Sequence, residues 1–282
     1  MKKAHIIGLG LLGGSFALAL KKARPEISVS GMDKNESNLD EALSRGIITV
    51  AKEWPDPDTD IILIATPINT ISSILHAVLD RVQPGTLVMD FGSTKESICQ
   101  SIAMHPNRRN YLAVHPIAGT EYSGPKAAKE DLLDGKVLTV CELDKTSLDL
   151  KAMAYEIFEA LNMNLRFMEP HDHDIQFAYI SHLSHISSFM LGKTVLDKME
   201  DDSHILDMAG SGFSTTVRLA KSAPDTWAPI FLDNKTNVLE ALDLYINNLT
   251  AFREKVKEED LEGVWQELAE INKIGKILDY GA

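Results

Sequence analysis

At 282 residues with a formal net charge of -13, the chain has no basic cluster able to neutralise a phosphate backbone, which excludes nucleic-acid binding. Apolar residues make up 44% and charged residues 24%, enough for one large or two medium cored domains. Two cysteines, Cys99 and Cys141, are too few for a disulfide framework or a zinc site, and no apolar run approaches a membrane span or a signal peptide, so a cytoplasmic chain that binds no membrane is expected.

Residues 4–7 read as a short buried strand, Gly8-Leu9-Gly10-Leu11-Leu12-Gly13 follows at once, and a helix runs on from Gly14. Strand, glycine turn and helix in that order form a dinucleotide site. Gly8 permits the tight turn, Gly10 lets backbone approach a pyrophosphate, and Gly13 lets helix pack close to strand. The helix N-terminus offers N–H groups to phosphate, and Leu11 and Leu12 of the turn join the glycines in the expected cofactor site. Asp33 ends the next strand, residues 27–32. A carboxylate there accepts hydrogen bonds from the adenine ribose and repels a 2′-phosphate, so NAD is expected over NADP, with Lys34 pulling weakly the other way.

A helix over 35–45 presents Leu39, Ala42 and Leu43 on one face and closes at Gly46. Residues 60–65 are continuously apolar, as in a parallel sheet covered on both faces, and end in Thr66-Pro67 before a helix over 70–81. The strand 86–90 runs into Phe91-Gly92-Ser93-Thr94-Lys95 and a helix carrying Ile98 and Ile102. The strand 111–114 ends in His115-Pro116. Such alternation predicts a Rossmann-like, mostly parallel α/β sheet, whose ligands bind outside the carboxyl ends of the strands. The glycine turn, Asp33, Thr66, Pro67, Ser93 and His115 therefore fall on one crevice. The long irregular stretch from His115 to Glu130 beside it reads as functional.

Residues 137–141 and 164–168 are two later strands flanking a helix over 148–161; Cys141 reads as a buried strand residue. They complete a first domain, 1–169. From His171 onward no strand is evident. The pattern predicts a helix over 175–198, a loop at Glu200-Asp201-Asp202-Ser203, and the glycine pair Gly210-Ser211-Gly212 before a short helix holding Arg218. A long helix then opens at Pro224-Asp225 and runs past Leu249, and a last helix covers 259–278. This all-helical second domain, 170–282, is rich in large apolar residues and predicts a dimer interface. Asp172 and Asp174 read as a solvated helix start, and Trp227 and Tyr245 as core. His182 and His185 share a helix face but lack the carboxylate pattern of a metal site, so no metal is expected.

Five segments together resemble the prephenate dehydrogenase family, including its arogenate-using relatives. They are Gly8-Leu9-Gly10-Leu11-Leu12-Gly13-Gly14-Ser15, Asp90-Phe91-Gly92-Ser93-Thr94-Lys95, His115-Pro116-Ile117-Ala118-Gly119-Thr120-Glu121, Ser181-His182-Leu183-Ser184-His185, and Gly212-Phe213 leading to Arg218-Leu219-Ala220-Lys221-Ser222. The resemblance spans nearly the whole chain. It implies a homodimer that carries out an NAD-dependent oxidative decarboxylation of prephenate to 4-hydroxyphenylpyruvate in tyrosine biosynthesis. By the same resemblance, His115 is the catalytic base for the C4 hydroxyl, and Ser93 hydrogen-bonds that histidine or the hydroxyl near the nicotinamide. Arg218 binds a substrate carboxylate through its planar fork. His185 is a second substrate-binding histidine, with His182 as the alternative.

An arogenate dehydrogenase would use the same residues. A beta-hydroxyacid dehydrogenase would need a catalytic lysine on the helical domain, where Lys193 is a poor match. An NAD-binding regulatory protein would be expected to lose His115 or Arg218, and both are present. With the first strand at residue 4, neither a fused chorismate mutase domain nor an appended regulatory domain is expected. Tyrosine, if it inhibits, is then expected to compete with substrate, and purely noncompetitive inhibition would contradict this.

Overall fold

The computed structural model describes residues 1–120, 122–200 and 204–279; Glu121, at the end of the His115 motif, and the expected loop residues Asp201, Asp202 and Ser203 lie outside the described residues. The strands are β1 (Lys3–Ile7), β2 (Ser28–Met32), β3 (Val50–Ala51), β4 (Ile61–Ile64), β5 (Leu87–Asp90), β6 (Tyr111–Pro116), β7 (Val137–Cys141) and β8 (Asn164–Met168). They form one sheet in the order β3-β2-β1-β4-β5-β6-β7-β8. Every neighbouring pair is parallel except β6 and β7. The chain proceeds one way from β1 to β3 and then crosses to β4 on the other side of β1. That reversal opens a crevice at the carboxyl ends of β1 and β4, where such sheets bind ligands.

The apolar strands are buried on both faces because alternate side chains serve different cores. Leu63, Met89 and Leu112 pack in one cluster with Phe16 and Leu20 of helix α1 (Leu11–Ala23) and Ile157 of α5 (Leu148–Ala160). Ile62, Val88 and Tyr111 pack in the other with Leu75 of α3 (Ile68–Leu79) and Ile98 of α4 (Glu96–Ser101). Between β2 and β3 lies α2 (Glu36–Ser44), capped by the Asn35 side chain, which accepts from the Ser37 N–H. The two-residue β3 has no sequence signal; its place is set by pairing with Ser30 and Gly31. Cys99 and Cys141 are both buried and free.

The chain separates into two compact units, Met1–Lys235 and Thr236–Ala282. In the first, one helical run follows β8: α6 (Pro170–Phe177), a π-helical turn (Ala178–His182) and α7 (Leu183–Met199). It begins five residues before the expected start at Ile175, because Pro170 occupies the first helical position, where its missing N–H costs nothing. Next come α8 (Ser211–Thr216), a 3-10 turn (Arg218–Lys221) and α9 (Pro224–Asp233). Gly210, not Gly212, is the N-cap of α8; α8 ends at Thr216, and Arg218 opens the short 3-10 helix that follows it. The long helix expected from Pro224 is broken at Asn234, whose backbone sits at φ -95°, ψ 30° before α10 (Lys235–Lys257) begins. In the second unit, the expected last helix is divided at Asn272 into α11 (Leu261–Ile271) and α12 (Lys273–Asp279); asparagine is a poor interior helix residue. Among the described residues no helix is long and apolar enough to cross a membrane.

Candidate active site

The glycine turn is fixed by close approach of backbone to backbone. Gly8 has φ +95°, and a Cβ there would lie 2.4 Å from the Ala65 carbonyl oxygen. A Cβ on Gly13 would lie 2.0 Å from the Gly8 oxygen, so only glycine lets α1 start against β1 and β4. Gly10 differs: a Cβ there meets nothing within 4 Å. The fold itself places no demand on Gly10, and the open space beside it fits a ligand approaching the backbone. Gly10 caps α1, and helix geometry leaves the N–H groups of Leu11, Leu12 and Gly13 without intrahelical acceptors, as a pyrophosphate requires.

Asp33 stands beside this turn. One carboxylate oxygen accepts from the Leu9 N–H at 2.9 Å, and the other from the Asn35 N–H at 2.9 Å and the Asn38 amide at 3.3 Å. Three of its roughly four acceptor positions are used, which leaves capacity for a ribose hydroxyl. Replacing Asp33 by asparagine, which removes the charge, is expected to lower the preference for NAD+ over NADP+ about tenfold in the ratio of kcat/KM values. An unchanged ratio removes Asp33 from cofactor selection.

The carboxyl ends of β4, β5 and β6 continue the same edge. After β4, the Thr66 hydroxyl pairs with that of Thr70 at 2.9 Å, and Pro67 caps α3. At the end of β5, Asp90 and Lys95 form a fully buried ion pair at 2.5 Å. The Tyr111 hydroxyl donates to Asp90 at 2.6 Å, and the Gly92 N–H at 2.8 Å. Ser93 is half-buried in the turn between them.

His115, the penultimate residue of β6, is 9% exposed. Its Nδ1 lies 3.0 Å from Nε2 of His173, so the partner at that nitrogen is His173 and not Ser93. His173 Nδ1 in turn lies 2.7 Å from the Asp174 carboxylate. That carboxylate also accepts the Lys95 and Glu96 N–H groups at 2.8 and 2.9 Å, capping the first turn of α4. The expected solvated helix start thus holds for Asp172 alone, which is exposed; Asp174 is 3% exposed, because α6 docks against α4 and the orphan N–H groups there take up its charge.

The order of donors in this chain follows from chemistry. An ionised carboxylate only accepts, so His173 Nδ1 carries a proton and its Nε2 is an acceptor. His115 Nδ1 must then donate, which leaves the lone pair of His115 at Nε2. Both imidazoles are neutral. Burial, with the Lys95 and His182 charges, pushes His173 down to about 2. Burial, then the repulsion that a protonated ring would meet from His173, Lys95 and His182, holds His115 well below the usual histidine value of 6.5.

The helical segment supplies the remaining side chains. His182, on the π-helical turn, is 1% exposed. His185 is half-buried and stacks on the Trp227 ring with centroids 3.3 Å apart, while His182 meets the same ring edge-on at 6.1 Å. The shared face expected for the two histidines is therefore present, with Trp227 between them. Burial lowers His185, and the nearby Arg218 charge lowers it further. The sequence pattern does not single out His173 or Asn234, and it marks Asp174 only as part of a solvated helix start. The spacing to Phe177, four residues after His173 on the same helix face, is a sequence signal for His173 alone; their rings stack at 4.4 Å. Among the described residues no group of three or more His, Cys, Asp or Glu side chains is placed to hold a metal.

Comparison with known proteins gives the family. Residues 16–166 match the family model of the prephenate dehydrogenase nucleotide-binding domain, and residues 169–271 that of the prephenate dehydrogenase dimerization domain. The prephenate dehydrogenase of Bacillus subtilis is 29% identical over 93% of this chain and 72% of its own length. The crystal structure of prephenate dehydrogenase from A. aeolicus, in complex with hydroxyphenyl propionate and NAD+, superposes with a TM-score of 0.89 at 28% identity, covering 98% of each chain. Synechocystis arogenate dehydrogenase superposes with a TM-score of 0.77 at 26% identity, covering 99% of each. Matched by these two models along nearly its whole length, the chain belongs to the prephenate dehydrogenase family.

Proposed function

We propose that this chain oxidises prephenate with NAD+ and releases carbon dioxide, giving 4-hydroxyphenylpyruvate for tyrosine synthesis. The observation that carries the reading is the Asp174–His173–His115 relay, which sets the lone pair of His115 at Nε2 on the same sheet edge as the dinucleotide turn. His115 takes the proton of the substrate C4 hydroxyl as hydride leaves C4. Bound NAD+ supplies the hydride acceptor. The carboxylate at C1 then departs as carbon dioxide, its bonding electrons pass into the ring, and the oxygen at C4 regains a proton from His115 as the phenol forms. His173 and Asp174 hold the base in its competent tautomer, as an orienting carboxylate does in other imidazole bases. Ser93, beside the buried Lys95 ion pair, supports the reacting hydroxyl, and Arg218 with His185 and His182 binds the substrate carboxylates and side chain.

Thr66, Pro67 and the Gly8–Asp33 region hold the cofactor. Arogenate dehydrogenation is the second reading, favoured by the likeness to the Synechocystis enzyme. We keep a division into a cofactor domain, 1–169, and a helical substrate and dimerisation domain, 170–282; the two family models meet between residues 166 and 169. A homodimer is supported by the dimerization-domain match and by exposed apolar side chains on α10 and α11, among them Ile246, Leu249, Trp265 and Leu268. The cytoplasm, where thiols such as Cys99 and Cys141 stay reduced, is the proposed compartment. The test is stoichiometry. Purified protein with prephenate and NAD+ is expected to form NADH, carbon dioxide and 4-hydroxyphenylpyruvate in equal amounts. NADH without carbon dioxide would contradict the reaction.

A further inference from the structure

A second imidazole in the site is set to the tautomer opposite to that of His115. The break between α9 and α10 at Asn234 carries the Asn234 amide into the core, where the residue is 4% exposed. Its Nδ2 lies 2.7 Å from the Asp174 main-chain oxygen and 3.2 Å from His182 Nδ1. A main-chain carbonyl can only accept, so the Asn234 group at that position is the NH2. The same NH2 faces His182 Nδ1, which must therefore accept. Burial lowers His182 to about 4, so its ring is neutral at physiological pH. A neutral ring with an accepting Nδ1 carries its hydrogen at Nε2.

His182 Nε2 is buried and has no hydrogen-bond partner among the described residues. A buried donor left unpaired is costly, and in native structures such groups are rare unless a ligand completes them. The turn that carries His182 is π-helical, an irregularity that recurs at functional sites. His182 is also close enough to His115 for the two rings to be electrostatically coupled. We propose that Asn234 is a positioning residue that holds His182 in the Nε2–H tautomer, so that the site offers one buried N–H donor to an oxygen of the bound substrate. One network then sets both rings. The Asp174 carboxylate, through His173, makes His115 Nε2 an acceptor, while the Asp174 main-chain oxygen, through Asn234, makes His182 Nε2 a donor. The inference rests on the proposed reaction for the identity of the substrate, but not for the tautomer.

The direct test is nitrogen-15 NMR of histidine-labelled protein without ligand, with the His182 signals identified by their loss in His182→Gln. The expected spectrum shows Nδ1 bare and Nε2 protonated. Asn234→Asp, which can only accept, is expected to invert the pattern, and the uncharged Asn234→Ala to abolish the preference. A protonated Nδ1 in the wild-type protein overturns the inference. In kinetics, His182→Met and Asn234→Asp are expected to lower kcat/KM for the substrate at least tenfold, a typical loss for one unpaired buried hydrogen bond. His182→Gln, which keeps an N–H, is expected to recover much of what His182→Met loses. NAD+ affinity near the wild-type value shows that the variants are folded. A His182→Met variant as active as wild type overturns the donor role. Should the chain prefer arogenate, the tautomer and these losses are expected to persist with that substrate, so the two readings fail separately.

Discussion

Replacing His115 by asparagine is expected to lower kcat about a thousandfold while leaving NAD+ affinity within about twofold. Asparagine keeps an N–H near the position of Nδ1, so the hydrogen bond to His173 Nε2 survives and the buried relay is not left open. What disappears is the lone pair at Nε2, the part of the ring that the proposed reaction uses. The glycine turn and Asp33, which belong to β1, α1 and the end of β2, are untouched. A fluorescence titration with NAD+ beside steady-state turnover separates the two effects, and turnover near wild type would remove His115 from the mechanism. The pH profile gives a second reading. His115 must be neutral to act, and its surroundings disfavour the charged form. The acid limb of kcat/KM is therefore expected well below 6.5, with a flat profile through the ordinary histidine range. A limb at the ordinary value would mean that the working base is a solvated group.

Replacing Lys95 by methionine is expected to destabilise the protein by about 3–5 kcal/mol, because it leaves the Asp90 carboxylate fully buried and without a counter-charge. The Tyr111 hydroxyl and the Gly92 N–H remain as donors, but neither carries charge. A double variant, Asp90→Asn with Lys95→Met, removes both charges and is expected to recover a large part of the loss. Equilibrium urea unfolding of the two variants checks this, and a single variant within about 1 kcal/mol of wild type contradicts it. The ion pair also bears on the chemistry. The Lys95 charge is one of the groups that hold His115 and His173 in their neutral forms. Removing it favours protonation of both rings, so the acid limb of the activity profile is expected to move to higher pH in Lys95→Met.

The parts of this site that local sequence reveals are those whose job is done by one residue type at one strand end. Gly8 and Gly13 are legible because backbone contacts admit no side chain there, and Asp33 because an acid ending β2 has one common use. His115 is legible because a parallel sheet places strand ends together. His173 and Asp174 are not, because acids at a helix start are ordinarily solvated. Only the docking of α6 on the first turn of α4, some 79 residues distant in sequence, buries this one. Asn234 is hidden for a related reason. The apolar periodicity runs through it from α9 into α10, and nothing in that periodicity marks a helix break made to deliver an amide to His182. The glycines around Ser211 mark a helix start but not its end, so the break at Val217 that sets Arg218 in a separate 3-10 helix is not legible in sequence.

The measurement that tests the account most directly is reduced-nicotinamide absorbance with purified protein and NAD+, given prephenate and arogenate in parallel. The account predicts a strong preference for prephenate in kcat/KM. A preference for arogenate would leave the cofactor site and the His115 relay in place and reassign the side-chain pocket. Turnover of neither substrate would contradict the proposed reaction.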